Sequence, residues 1–365
     1  MSRRISWWRT SFGEQEIERI GQSIRQESVG QGKVTAELER ELGELLEVDH
    51  VIAASSGSSA IVMSLMAAGV VPGDEVILPN RTWIATAHAV HLLGAKVIPV
   101  DVQPGRPIID ADQIEKEITA KTKVIMPVHM NGRSADMVKI RKLANRYDLV
   151  VIEDAAQGLA SRNSNGYLGT QSDIGCFSLS VAKVISTGQG GFAVTSNGDL
   201  AGKLRRIRTH GVENVKDPKE WTVPGFNFRI TDVHASIGLE QLKRLPERLD
   251  RLREIYRMYE EGLAGSPFRL IPVDLAGGEV PIYVECLVAR RQHWIELLES
   301  EEIETRPFYP DIDKAPYFAT RSITFPNSRE FGIEGIYLPS GPSQELQDIR
   351  LTISRIRKLS ESVRN

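Results

Sequence analysis

The sequence holds one lysine whose surroundings suit chemistry better than solvent. In the run Cys176-Phe177-Ser178-Leu179-Ser180-Val181-Ala182-Lys183-Val184-Ile185-Ser186-Thr187-Gly188-Gln189-Gly190-Gly191, an apolar strand leads into Lys183 and a glycine-rich turn follows it. Small, hydroxylic or apolar flanks are unusual for a surface lysine, and partial burial lowers the ammonium pKa so that the neutral amine becomes a nucleophile. Asp154 stands 29 residues earlier, where Val150-Val151-Ile152-Glu153-Asp154 runs from buried-strand character into two acids. Acids at the carboxyl end of such a strand face a cleft, and a carboxylate within about 4–6 Å favours the charged form of a cationic nitrogen. A turn or helix cap by Asp154 is the plain alternative. Earlier still, Ser55-Ser56-Gly57-Ser58-Ser59 joins a strand to a helix. Small hydroxylic residues there let backbone N–H groups close around a phosphate, although serines at that point are also ordinary N-caps. Trp83 opens the next helix on the same sheet edge and has a face that could stack on an aromatic ring, or equally belongs to the core.

A phosphate loop, a strand-end carboxylate and a shielded lysine together make the set that holds pyridoxal 5′-phosphate (PLP). The lysine forms a Schiff base, the carboxylate keeps the pyridine nitrogen protonated, and the helix N-terminus neutralises the phosphate.

Those residues need a scaffold, and the pattern around them predicts alternating strands and helices. TAELERELGELLEV carries leucines 38, 42, 45 and 46 at helical spacing. The strand HVIAASS, a helix over SSAIVMSLMAAGV, the strand EVILP, a helix over WIATAHAVHLLGA and the strand KVIPVD follow, and the rhythm continues through KTKVIMPVH, MVKIRKLANRY and LVVIED. Apolar strands of this kind predict an α/β fold, a mostly parallel sheet covered by helices, with ligands beyond the carboxyl ends of the strands. After about residue 240 the rhythm changes. EQLKRLPERLDRLREIYRMYEEGLAG reads as a long helical stretch interrupted near Pro246, followed by short strands such as VPIYVECLVA, the helix HWIELLES, a Pro- and Tyr-rich loop RPFYPDIDKAPYF and a closing helix SQELQDIRLTISRIRKL. The expected domains are a large cofactor-binding unit over 1–240, N-terminal segment included, and a smaller C-terminal α+β unit over 241–365.

Composition narrows the partners. With 45 basic against 48 acidic side chains and a net charge of -3, nothing suggests a polyanion-binding surface, so nucleic acid is disfavoured. No stretch approaches the ~18 consecutive apolar residues of a membrane span. Cys176 and Cys286 are too few for a disulfide framework and match no zinc pattern, which fits a reducing cytoplasm. His88 and His91 share a helix face but lack the further ligands a zinc site needs, so no metal is expected.

The segments SSGSSA, PGDEVILPNRTWIATAHAV, VHMNGRSADM, VIEDAAQ, FSLSVAKVISTGQGGFAVTSN, RTHG, GFNFRITDVHASIGLEQL and RPFYP, taken in order, resemble the DegT/DnrJ/EryC1/StrS group of sugar aminotransferases over nearly the whole chain. The resemblance implies a fold-type I, aspartate aminotransferase-like PLP-dependent transferase. It implies Lys183 as the Schiff-base lysine and proton carrier, Asp154 on the pyridinium nitrogen, Gln157 near the cofactor's 3-hydroxyl, Trp83 on the ring, and Gly57, Ser58 and Ser178 on the phosphate. It further implies a homodimer with active sites at the subunit interface, where Asn227 reaches the phosphate of the neighbouring subunit. Arg229, Arg306, Tyr309 and Tyr317 are candidate substrate contacts. Ser58 replaces the family's usual threonine, and Leu179, Ser180 and Gln189 depart from the common residues around the lysine, on what is expected to be the substrate side.

The activity so implied is amination of a nucleotide-linked keto sugar with glutamate as donor, at C-4 in preference to C-3, the cofactor alternating between PLP and its amine form, PMP. A keto-cyclitol or aminoshikimate-type carbocycle is an alternative substrate, and a non-catalytic regulatory protein on the PLP fold is an alternative role. A nicotinamide-dependent sugar dehydrogenase is disfavoured because no GxGxxG follows an early strand.

Overall fold

The computed structural model describes residues 4–318 and 324–364. Its main sheet has seven strands: β1 (His50–Ala54), β2 (Glu75–Pro79), β3 (Lys96–Val100), β4 (Thr122–Ile125), β5 (Val150–Asp154), β6 (Ile174–Ser178) and β7 (Gly191–Thr195), in the order β1-β7-β6-β5-β4-β2-β3. Neighbours from β6 through β3 pair in parallel, whereas β7 runs antiparallel to both β1 and β6. The sequence pattern hides that reversal: every residue of β7 is buried, and a strand covered on both faces reads alike in either direction.

Alternation of side chains splits the core into layers. Ile52, Leu78, Val124, Ile152 and Cys176 face the helices Gly57–Ala67, Ala85–Leu92 and Gly198–Arg208, while Ile77, Ile125 and Val151 face Met137–Tyr147 on the other side.

A second sheet, antiparallel throughout, joins β8 (Arg269–Leu270), β9 (Val284–Leu287), β10 (Arg306–Pro307) and β11 (Gly335–Leu338) in the order β8-β9-β11-β10. The helices Leu245–Gly262, Arg291–Ser300 and Leu346–Arg364 pack on it through Ile255, Tyr259, Trp294, Leu298, Ile349 and Ile356. The interruption near Pro246 is real: one helix spans Asp232–Lys243, and the next opens at Leu245 with the proline in its first turn, where no N–H is missed. Residue 240 therefore lies inside a helix. The N-terminal segment sits beside the second sheet, with Ile5 bridging Ile303 and Trp8 bridging Ser340.

A buried arginine joins the two sheets. Arg133, in the loop after β4, is fully buried and donates from Nε to Pro272 O (2.8 Å) and from Nη2 to Ile271 O (3.0 Å), while Nη1 pairs with Glu285 of β9. Among the described residues no helix is long and apolar enough to cross a membrane.

Candidate active site

A cavity of about 480 Å³ opens at the carboxyl ends of the parallel strands. Its phosphate-sized corner is built from glycines. At Gly191, which pairs with Ala54 on one side and Ser178 on the other, an added Cβ would lie 2.4 Å from Gly57 N, and at Gly57 it would lie 2.9 Å from Ser178 Cβ. Only glycine lets the turn after β1 lie flush against β6 and β7. Ser56 caps the helix Gly57–Ala67 by accepting from Ser59 N at 3.0 Å, so the capping and phosphate readings of this loop hold together: Ser56 caps while Gly57 and Ser58 line the cavity. The first N–H groups of that helix have no partner within it and favour an anion.

The two acids ending β5 part company. Glu153 is fully buried away from the cavity, accepting from His129 Nε2 (2.7 Å), Gly169 N and Gln171 N. Asp154 faces the cavity, with Oδ2 accepting from Thr86 Oγ1 at 2.7 Å and Oδ1 from Ala156 N at 3.1 Å. Burial raises its carboxyl above the ordinary aspartate value, opposed by those two bonds and by the charge of Lys183. Among the described residues it has no ion-pair partner, as suits a carboxylate kept for a cationic ring nitrogen. Asp154→Asn keeps the volume and removes the charge, and a loss of about 10²-fold or more in kcat is expected; the check is steady-state kinetics on the loaded enzyme.

Lys183 also lines the cavity. Burial pushes its ammonium down to about 8, with Asp154 acting in the other direction. A base with a lowered folded-state pKa costs stability while protonated, and this cost fades as pH rises from about 8 towards 10.5. Amine reactivity in the cofactor-free protein should rise about tenfold per pH unit below this midpoint and then level. Reductive trapping of PLP across pH tests this; a rise continuing to the ordinary lysine range would contradict it.

Of the residues expected from sequence, Lys183, Asp154, Gln157, Trp83, Gly57, Ser58, Ser178, Arg306 and Tyr309 line the cavity, whereas Asn227, Arg229 and Tyr317 do not. Asn227 is exposed and accepts from Arg229 Nε at 2.8 Å, and Tyr317 bonds His88 Nε2 at 2.6 Å. Ser180 and Gln189 reach the cavity, but Leu179 is fully buried in the core and takes no part on the substrate side. Trp7, Thr86, Tyr283 and Tyr337 also line it and escaped the sequence reading. Thr86 alone had a local signal, being three residues after Trp83 on the same helical face.

The residues present fit PLP. The cradle takes an anion, Asp154 and Lys183 stand without ion-pair partners among the described residues, and Trp83, set edge-on to Tyr309 at 5.4 Å, bounds the space between them. Fold and site together define a PLP-dependent transferase of fold-type I. The chain belongs to the DegT/DnrJ/EryC1/StrS aminotransferase family, whose model matches residues 10–357. It is an aminotransferase, and its cofactor is pyridoxal 5′-phosphate.

It is 35% identical to GDP-perosamine synthase of Caulobacter vibrioides over 334 residues, 89% of this chain and 90% of that one. DesV of S. venezuelae, solved in complex with a ketimine intermediate, superposes with a TM-score of 0.92 at 28% identity, covering 99% of both chains. DesI, solved in the presence of its TDP-sugar product, gives 0.90 at 25% identity over 100% of this chain and 97% of that one.

Proposed function

We propose that the protein aminates the keto carbon of a nucleotide-linked sugar, with glutamate as donor and C-4 as the position aminated. The observation that carries this reading is the cavity: a lysine of lowered pKa and a buried carboxylate lie beneath aromatic walls in a space of about 480 Å³, within the range that small-molecule sites occupy. The names of GDP-perosamine synthase and of DesI with its TDP-sugar product support a nucleotide sugar as substrate. The preference for C-4 rests on a loose likeness of the Thr187-Gly188-Gln189-Gly190-Gly191 turn to the family's, with Gln189 where many members have Glu.

PLP supplies an electron sink for the pair left on carbon when a proton departs. Around it the chain's own residues divide the work. Gly57, Ser58 and Ser178 would hold its phosphate, and Asp154, fixed by Thr86, would keep a proton on its ring nitrogen. With the cofactor bound, the Lys183 amine would take the proton from the donor's α-carbon and return it to the cofactor's own carbon, and in the second half of the cycle it would work in reverse. Arg306, bonded through Nε and Nη2 to Glu304, stands with its guanidinium 4.4 Å over the Trp7 ring, and its remaining nitrogen is suited to an anionic substrate group. Incubation with a panel of 3-keto and 4-keto sugar nucleotides, with products read by mass spectrometry and NMR, tests the reading. Amination of the 3-keto members alone would overturn the C-4 assignment, and amination of none of the panel would sink the reading.

The same reading makes the working unit a homodimer. Asn227 sits on an exposed segment with Trp221 and Phe226, 72% and 58% exposed, apolar surface that a second copy would cover. Asn227→Ala and Lys183→Ala chains, each impaired alone, should regain activity when mixed, since one site per mixed dimer then has both native residues. No recovery in mixtures that demonstrably exchange subunits would argue against a shared site.

A further inference from the structure

The segment that carries Lys183, residues 179–190, contains no helix or strand, so its shape depends on what grips its backbone. The carbonyls on either side of the lysine are both held by side chains from the second half of the chain. Tyr283 donates its hydroxyl to Ala182 O at 2.6 Å, and Arg248 donates from Nη1 to Val184 O at 3.0 Å. The Tyr283 ring packs against Trp7, Trp8 and Tyr337, and burial raises its pKa, so the hydroxyl remains a donor.

The backbone of the same residue reaches the other end of the site. Asn131 Oδ1 accepts from Tyr283 N at 2.7 Å, and Asn131 Nδ2 donates to Tyr283 O at 2.9 Å. Asn131 is fully buried in the left-handed region, at φ 53° and ψ 38°, a conformation uncommon outside glycine that this reciprocal pair helps to hold. Its own N–H then donates to Gln157 Oε1 at 2.7 Å, which orients the amide and leaves its nitrogen available to a ligand.

We propose that Tyr283 is the positioning residue of the site, aiming Lys183 through the Ala182 carbonyl with its hydroxyl, and Gln157 through Asn131 with its backbone. The inference rests on Lys183 as the cofactor-binding lysine and stands whichever keto substrate is aminated.

Tyr283→Phe keeps the ring and removes the hydroxyl. The test is the rate at which the full-length, cofactor-stripped protein captures PLP at each pH from neutral to alkaline, read by absorbance, which reports the free amine; it uses no substrate, so it does not depend on the sugar reading. Asp154, the charge that acts on Lys183, is untouched by the substitution. The midpoint is expected to rise from about 8 towards the ordinary lysine value as the released segment lets water reach the amine. In the reloaded enzyme kcat should fall about tenfold at unchanged donor KM, with the melting temperature near that of wild type. An unchanged midpoint overturns the proposal even if kcat falls, because Tyr283 is then only a wall of the cavity. Asn131→Gly tolerates the left-handed backbone and removes both side-chain bonds to Tyr283. It should shift the absorption maximum of the bound cofactor through Gln157, and an unshifted spectrum overturns that arm.

Discussion

Lys183→Ala lowers turnover by at least about 10³-fold and leaves the fold standing. On the proposed reading the residue does two things that no neighbour can take over: it bonds covalently to the cofactor, and it carries a proton between carbons within the cavity. Among the described residues its side chain has no ion-pair partner, and Asp154, which its charge favours, keeps its bonds from Thr86 and Ala156 N, so the melting temperature should hold. Lys183→Arg sharpens the expectation. A guanidinium stays protonated above pH ~12 and has no neutral nucleophile to offer, so it should fail as fully as alanine despite keeping the charge. Steady-state kinetics with a thermal melt on each variant decide the matter. Turnover within about tenfold of wild type in the alanine variant would remove Lys183 from the chemistry.

The largest effect on stability is expected at Arg133, which does not line the cavity. Its guanidinium is fully buried and gives bonds to Ile271 O, Pro272 O and Glu285. Arg133→Ala leaves Glu285 as an uncompensated charge between the sheets, which should cost about 3–5 kcal/mol. The double substitution Arg133→Met with Glu285→Leu removes both charges and should recover most of that loss. Urea unfolding of the single and double variants measures both terms. A single variant that loses less than about 1 kcal/mol would show that water or a rearranged neighbour compensates Glu285.

What the sequence exposes and what it conceals follow from how far each residue's partner lies along the chain. Asp154 and Ser178 end strands, and Gly57, Ser58 and Lys183 follow strands closely, so an apolar run passing into small or acidic residues is visible within a few positions. The parallel strands and the break near Pro246 are legible for the same reason. Trp7, Tyr283 and Tyr337 reach the cavity only because the second sheet folds against the first, and nothing in WW, PIYVECL or GIYL marks one aromatic ring as a wall and the next as core. Leu179 illustrates the converse: its place beside motif residues suggested the substrate side, but just past the end of β6 its side chain packs into the core. The reversal of β7 has no signature in a strand buried on both faces.

The pairing of β1 with β7 sets a schedule for biosynthesis. β1 ends at Ala54, its partner Gly191 lies well over a hundred positions later, and Ser55 N bonds Phe228 O at 2.8 Å. A nascent chain therefore emerges from the ribosome with its serine–glycine turn complete in sequence but unsupported in space until the polypeptide has grown past residue 228. Contacts this distant are slow to form, and until they do β1 offers an unpaired edge to other chains. Cofactor capture belongs to the end of translation, and fragments stopped short of Gly191 should emerge unable to hold it.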